Sequence, residues 1–244
     1  MDFSSYINSK TVAIVGPAAY MKGSKLGTEI DNHDIVVRIN RSIETVCKYR
    51  EDVGQKSNIL YSCLIETAAN AGKLNLNELK LMGVDFICTP PLSNMSGIAK
   101  ANKFHYAVNT TTLNKLIKEF NVRIVDYSLN NWLAKKVNSR PNTGFLAIYD
   151  ILHHEPKHLS IYGFSFYLDG FIPGCKAGIQ KEKGVSEKEF ANMAFMSKRH
   201  NQKNMWQFAK KTLLNNEKVF LDKTLQQILK LDSLDKRLFQ EKVR

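Results

Sequence analysis

Three short stretches hold residue types that could do chemistry. His200 follows Lys198 and Arg199 and opens a helical segment. Imidazole titrates near neutrality, so such a histidine could take a proton from a hydroxyl; the plainer reading is a surface or capping histidine. His33, His105, His153, His154 and His158 carry the same two readings, and His153 and His154 also suit a helix end. Arg140-Pro141-Asn142-Thr143-Gly144 stands before an apolar run. A helix starting there would offer free N–H groups at Thr143 and Gly144, a cradle for phosphate or carboxylate, and Arg140 would add a planar donor fork. The plainer reading is an ordinary helix capped by Asn142 or Thr143. Gly16 closes the run Thr11–Val15. The end of a strand in an α/β sheet is where phosphate and ribose dock. No GxGxxG, no GxxxxGK[ST] and no DxD pair occurs, so side chains and backbone N–H groups would have to balance a bound nucleotide's charge.

These stretches need elements to position them. TVAIV at 11–15 and IVVRI at 35–39 read as buried strands of the parallel kind. NILYSC at 58–63, VDFIC at 84–88, RIVDY at 123–127, HLSIY at 158–162 and a short run at 218–221 read as further strands. Leu74–Met82, Thr112–Phe120 and Thr143–His153 read as helices between them. Strands and helices alternating at this spacing predict a single α/β/α sandwich around a mostly parallel sheet, one domain over 1–244. Gly170–Gly184 holds four glycines, a proline and three lysines without periodicity, and predicts a flexible loop. Beyond Ser186 the chain turns helical and ends in a basic helix over 223–244.

The chain has 244 residues, 43% hydrophobic and 24% charged, which is enough apolar material for a core and excludes a disordered or collagen-like chain. No apolar run approaches the ~18 residues of a bilayer span, and Met1–Lys10 has no signal-peptide pattern. The expectation is a soluble cytoplasmic chain, or one cut from something longer. Cys47, Cys63, Cys88 and Cys175 form no CxxC pair and no zinc-spaced cluster, and are expected to be buried or half-buried free thiols of a reducing compartment. The net charge is +12, and residues 181–244 hold fifteen Lys and Arg against eight Asp and Glu. Such a chain attracts polyanions: nucleic acid, anionic lipid or phosphorylated small molecules; a solvated basic face is the plainer reading.

The motifs, taken together, resemble a known family. Val12-Ala13-Ile14-Val15-Gly16-Pro17, Lys22-Gly23-Ser24, Gly27 to Asp34, Val36-Val37-Arg38-Ile39-Asn40 and Glu51-Asp52-Val53-Gly54 resemble the large sialyl motif of the animal-type sialyltransferases, glycosyltransferase family 29. Arg140 to Asp150, ending at Ile161-Tyr162-Gly163-Phe164, is similar to the small sialyl motif, and His200 falls where a very short motif puts its histidine. The resemblance covers about residues 11 to 205. It implies a variant of the GT-A-like fold and an inverting, metal-independent transfer of sialic acid from CMP-sialic acid to a glycan hydroxyl, with the CMP-sugar as donor substrate and no cofactor. It would place Gly16, Asn40, Ser62, Arg140, Asn142, Thr143, Gly144, Gly163 and Phe164 around the donor. Tyr167 would stabilise the departing phosphate, and His200 would be the base.

This sequence also departs from the pattern. The paired cysteines of the animal enzymes are missing at Thr11 and at 153–157, Pro17 replaces an amide residue, and Gly170–Gly184 stands in place of an aromatic motif. Met205 replaces a glutamate, whose role is either lost or taken by another residue, Gln207 being the candidate. Two other readings stay open: a CMP-Kdo-dependent transferase, or a basic protein that binds nucleotide, nucleic acid or anionic lipid without transfer. The second lacks an RNP run, a zinc finger and a helix-turn-helix, so no nucleic acid is expected. The expected partners are the CMP-sugar and a glycan or glycolipid acceptor. Leu225, Ile228, Leu229, Leu231, Leu234, Leu238 and Phe239, flanked by Lys223, Lys230, Lys236, Arg237, Lys242 and Arg244, form apolar stripes. They would suit peripheral contact with an anionic membrane; packing onto the core is the competing expectation.

Overall fold

β-branched runs bounded by glycine and proline set the frame. The structure, a computed structural model, describes residues 2–67, 72–91 and 110–243. Among these, seven strands pair in parallel: β1 Thr11–Val15, β2 Ile35–Ile39, β3 Ile59–Tyr61, β4 Phe86–Thr89, β5 Asn121–Ile124, β6 His158–Tyr162 and β7 Val219–Leu221. Their order is β5-β4-β3-β2-β1-β6-β7. The chain winds outward from β1 to β5, then crosses back to place β6 on the other side of β1. That reversal makes a crevice above the C-terminal ends of β1 and β6.

Alternate residues of each strand feed opposite faces. Val12 and Ile14 join Val37, Ile59, Tyr61 and Ile161 in one core, covered by the helices Tyr127–Val137, Thr143–His153, Gln202–Leu213 and Lys223–Lys230. Ala13 and Val15 face the other layer, where they pack with Met21, Ile30, Val36 and Val53. Leu60, Ile87, Leu116 and Phe120 extend that layer beneath the helices Leu76–Leu81 and Thr110–Glu119. The expected α/β/α arrangement of helices on both faces of a parallel sheet is what forms.

Several local expectations change. The stretch 123–127 does not run on as a strand: β5 starts at Asn121, opposite Phe86, and stops at Ile124. Asp126 then caps the helix Tyr127–Val137 by accepting from Ser128 N (2.6 Å), which ends extended backbone before Tyr127. The segment 170–184 is not without structure: Phe171 bridges Ala18, and Ile179–Lys183 is a short helix. The C-terminal stretch breaks into Lys223–Lys230 and Lys236–Lys242. Leu225, Ile228, Leu229, Leu231, Leu234 and Phe239 are buried in the first core, so these side chains cover the sheet side of the protein instead of presenting a lipid-facing stripe. Among the described residues no helix is long and apolar enough to cross a membrane. The four cysteines are free, but Cys47 is exposed where burial is expected. His105 and Arg244 lie outside the described residues.

Candidate active site

A cavity of about 530 Å³ opens over the crevice between β1 and β6. Its floor comes from the segments that leave the strands. β1 runs into Gly16 and Pro17, and β6 runs into Gly163. Gly16 N donates to Tyr162 O (2.8 Å), and Ala18 N donates to Gly163 O (3.0 Å). The two turns touch so closely that a Cβ on Gly16 would run into Gly163 O, while Gly163 itself has φ +72°. Glycine is required at this crossing by contact at one residue and by backbone conformation at the other.

A carboxylate holds the β6 turn in place. Asp222, at the start of the helix Lys223–Lys230, accepts from Gly163 N (2.9 Å) and from Tyr20 Oη (2.7 Å), and Tyr20 Oη in turn accepts from Phe164 N (3.0 Å). Phe164 is thereby set against Gly144, where a Cβ would approach the Phe164 ring to 2.8 Å.

The wall beside Phe164 is the N-terminus of the helix Thr143–His153. Asn142 caps it, its Oδ1 accepting from Phe145 N (2.8 Å). The capping reading of Asn142 is therefore right, and it coexists with the cradle. The N–H groups of Thr143 and Gly144 face no acceptor among the described residues, both residues line the cavity, and the helix dipole favours an anion there.

His200 reaches this wall from 60 residues away in sequence. Its Nδ1 donates to Arg140 O (2.8 Å). A carbonyl only accepts, so Nδ1 carries the proton and Nε2 keeps its lone pair. Burial, helped by the charges of Arg199 and Arg140, pushes the His200 pKa down to about 4, so the ring is neutral at pH 7. Two bonds fasten its segment to the residues before the cradle, Asn201 N to Ser139 Oγ (3.1 Å) and Asn204 Nδ2 to Val137 O (2.9 Å), and within the segment Gln202 Nε2 donates to His200 O (2.8 Å).

Tyr167 completes the ring of chemistry-bearing groups. It follows β6 with φ +62°, in the left-handed region beside Phe166 at +52°. Two consecutive non-glycine residues there are an uncommon conformation, of the kind concentrated at functional sites. Its ring packs on Phe171 at 5.4 Å, and burial lifts its pKa to about 12, so its hydroxyl remains a donor at neutral pH.

The structure thus brings Asn40, Arg140, Asn142, Thr143, Gly144, Gly163, Phe164, Tyr167 and His200 to one cavity. Gly16 and Ser62 are not on its wall. Gly16 lies behind it against Gly163, and Ser62 is fully buried, its N–H donating to Cys88 O and its Oγ accepting from Leu64 N (3.1 Å). Asn40, at φ +46°, spends its Oδ1 on Cys63 N (3.0 Å), tying the ends of β2 and β3 together. Gln207 is exposed and does not approach His200; the amide that does is Gln202. Met205 is buried in the first core. Sequence reasoning missed Arg41, Lys176, Lys183 and Arg199, which with Arg140 put five cations on the lining, where no carboxylate stands among the described residues. Among the described residues no three His, Cys, Asp or Glu gather as metal ligands.

The cavity combines a helix N-terminus, a cationic lining and a neutral histidine, an arrangement suited to an anionic substrate and a proton transfer. The family described as "Glycosyltransferase family 29 (sialyltransferase)" matches residues 5–170. The chain is 25% identical over 188 residues to CMP-N-acetylneuraminate-beta-galactosamide-alpha-2,3-sialyltransferase 1 of Gallus gallus, covering 73% of this chain and 52% of that protein. It is 27% identical over 163 residues to Alpha-2,8-sialyltransferase 8F of Pan troglodytes, covering 62% and 39%. It therefore spans about half, or less, of the length of these relatives. Among solved structures, a mammalian sialyltransferase in complex with Gal-beta-1-3GalNAc-ortho-nitrophenol matches with a TM-score of 0.46 and 18% identity, covering 79% of this chain and 66% of that one. The sialyltransferase CstII from Campylobacter jejuni, in complex with a substrate analogue, cytidine-5'-monophosphate, matches with a TM-score of 0.44 and 15% identity, over 66% and 63%. On the match of the family pattern to more than half of its residues, the chain belongs to glycosyltransferase family 29, the sialyltransferases.

Proposed function

We propose that this protein transfers sialic acid from CMP-sialic acid to a hydroxyl of a glycan or glycolipid acceptor, with inversion and without a divalent metal. The observation that carries the reading is His200: a neutral imidazole, its tautomer set by Arg140 O, on the wall of a cation-lined cavity that also holds the start of the helix Thr143–His153. In the proposed reaction His200 Nε2 takes the proton of the acceptor hydroxyl, and the acceptor oxygen attacks the anomeric carbon from the face opposite the leaving group. The bond from that carbon to the phosphate oxygen breaks as the new glycosidic bond forms. The charge left on CMP is met by the N–H groups of Thr143 and Gly144 and by the Tyr167 hydroxyl. A bound phosphate near His200 also raises its pKa, so the base strengthens once the donor is in place.

Family membership favours this transferase over a nucleic-acid binder, whose basic surface would have no need of a neutral histidine in a cavity. The four free thiols support a reducing compartment. The experiment is a thermal shift with CMP, UMP, GMP and AMP, each with and without EDTA. The expected result is stabilisation by CMP above the others and indifference to EDTA. Stabilisation by UMP in place of CMP, or loss of the CMP effect in EDTA, contradicts it.

A further inference from the structure

The segment after Gly170 carries a charge into the cavity. Phe171 bridges Ala18, and Ile172 N donates to Pro17 O (2.7 Å), so this segment lies across the turn that leaves β1. Glu187, the first residue of the helix Glu187–Phe195, accepts from Lys176 N (2.5 Å) and Gly174 N (3.3 Å). Cys175 is buried in the second core beside Val15 and Tyr162. Pinned on both sides, Lys176 is 6% exposed, yet it lines the cavity, with its ammonium 5.6 Å from the Phe171 ring. A lysine buried to this degree is rare in a stable fold, because its hydration is lost. Arg41, next to Asn40 at the end of β2, lines the same cavity and pairs with Glu44 at 2.5 Å. The fields of Arg41, Glu44 and the two nearby thiols, Cys63 and Cys175, all reach the Lys176 ammonium, and burial holds its pKa below the usual lysine value. Among the described residues the cavity lining carries Arg41, Lys176 and three further cations and no acidic side chain.

We propose that Lys176, with Arg41 beside it on the β1–β2 side of the cavity, forms an anion-binding subsite that recognises one of the two negative groups of the donor. The inference rests on the donor reading above and adds residues to it. The shared chemistry is a compact oxyanion, and it has two sources in a CMP-linked acidic sugar: the nucleotide phosphate and the sugar carboxylate. A charge-assisted contact in a desolvated place discriminates strongly between charged and uncharged ligands.

Calorimetric titration of wild type, Lys176→Met and Lys135→Met with cytidine, CMP and CMP-sialic acid tests it. Lys135 is exposed and outside the cavity, and controls for lost net charge. Cytidine should bind all three proteins alike. If Lys176 holds the phosphate, Lys176→Met should bind CMP about 10-fold more weakly or worse; if it holds the carboxylate, CMP affinity should stay and CMP-sialic acid affinity should drop by that factor. Either result supports the subsite and names its source. Equal affinities of wild type and Lys176→Met for both anionic ligands overturn it. Should Lys176→Met melt early, Arg41→Gln gives the same reading, with the same losses expected and equal affinities again overturning the subsite. If wild type binds no cytidine ligand, it is the donor reading that fails; inorganic pyrophosphate then reads the subsite alone, weaker binding in the variant sustaining it and equal binding overturning it.

Discussion

The floor and the wall of the cavity are built by different means. The floor rests on strand ends: Gly16, Gly163, Asn40 and Ser62 sit where β1, β6, β2 and β3 stop, Gly16 and Ser62 behind the lining, and backbone bonds and close contacts occupy them. Asn40 is bonded to Cys63 N, Ser62 to Leu64 N and Cys88 O, and Gly16 is pressed on Gly163. The wall is made of irregular segments, 164–178 and 197–201, that carry Tyr167, Lys176 and His200. A few hydrogen bonds over long sequence separations hold it: His200 Nδ1 to Arg140 O, Asn201 N to Ser139 Oγ, Ile172 N to Pro17 O. The contrast teaches that motif residues which look like ligand contacts can be scaffold. On the floor, substitutions should cost stability; on the wall, they should cost rate or affinity.

The largest expected effect is on the wall. His200→Ala should slow transfer by about 100-fold or more, with CMP affinity nearly intact and an unchanged melting temperature. Unchanged transfer would remove His200 from the mechanism, and a large loss of melting temperature would move it to the scaffold. Next comes the floor. Gly16→Val forces a side chain into Gly163 O and should cost about 1–3 kcal/mol of stability, a fall of several degrees in melting temperature for a chain of this size. A variant that melts like wild type but fails to bind CMP would make Gly16 a ligand contact after all.

Tyr167→Phe should lower turnover by about tenfold while leaving CMP affinity nearly constant, because a hydroxyl aimed at developing phosphate charge acts mainly in the transition state. A normal rate with a lower melting temperature would place Tyr167 with the floor. The smallest effect is in the pH profile. His200 is neutral above about pH 4 in the free protein, below the 6.5 of an ordinary histidine. Its basic form is therefore present above that pH and lost as pH falls through it. The acid limb of kcat/KM for the donor should lie well below 6.5, and that of kcat higher, since bound phosphate favours the imidazolium. A kcat/KM limb at or above 6.5 contradicts a buried neutral base.

The same contrast decides what was legible in the sequence. β1, β2 and β6 and the helix Thr143–His153 form with the expected bounds, because continuous apolar runs closed by Gly16, Asn40 and Gly163, and a Pro-Asn-Thr-Gly entry, are local signals. The helix Tyr127–Val137 was hidden. Its apolar positions Leu129, Trp132, Leu133 and Val137 are spaced for a helix, but Asn130 and Asn131 interrupt them, and the Asp126 cap follows directly on a β-branched run. The motifs identified nine of the lining residues. They could not show that Ser62 faces inward, since a buried serine and a ligand-binding serine look alike in sequence. Lys176 was invisible for the opposite reason: glycines around it suggest a free loop, and only the contacts with Pro17 and Glu187 carry it into the cavity. The Tyr20–Asp222 clamp joins residues 202 positions apart, a pairing no spacing rule reveals.

Donor chemistry by His200 in this cavity is read out by the release of CMP. Wild type and His200→Ala are mixed with CMP-sialic acid, and in parallel with CMP-Kdo, in EDTA and with a panel of galactose-terminated glycans as acceptors. Wild type should release CMP from CMP-sialic acid in step with appearance of sialylated product, faster than from CMP-Kdo, and His200→Ala should do so at about one hundredth of the rate or less. Release no faster than in buffer, or equal release by both proteins, would contradict it.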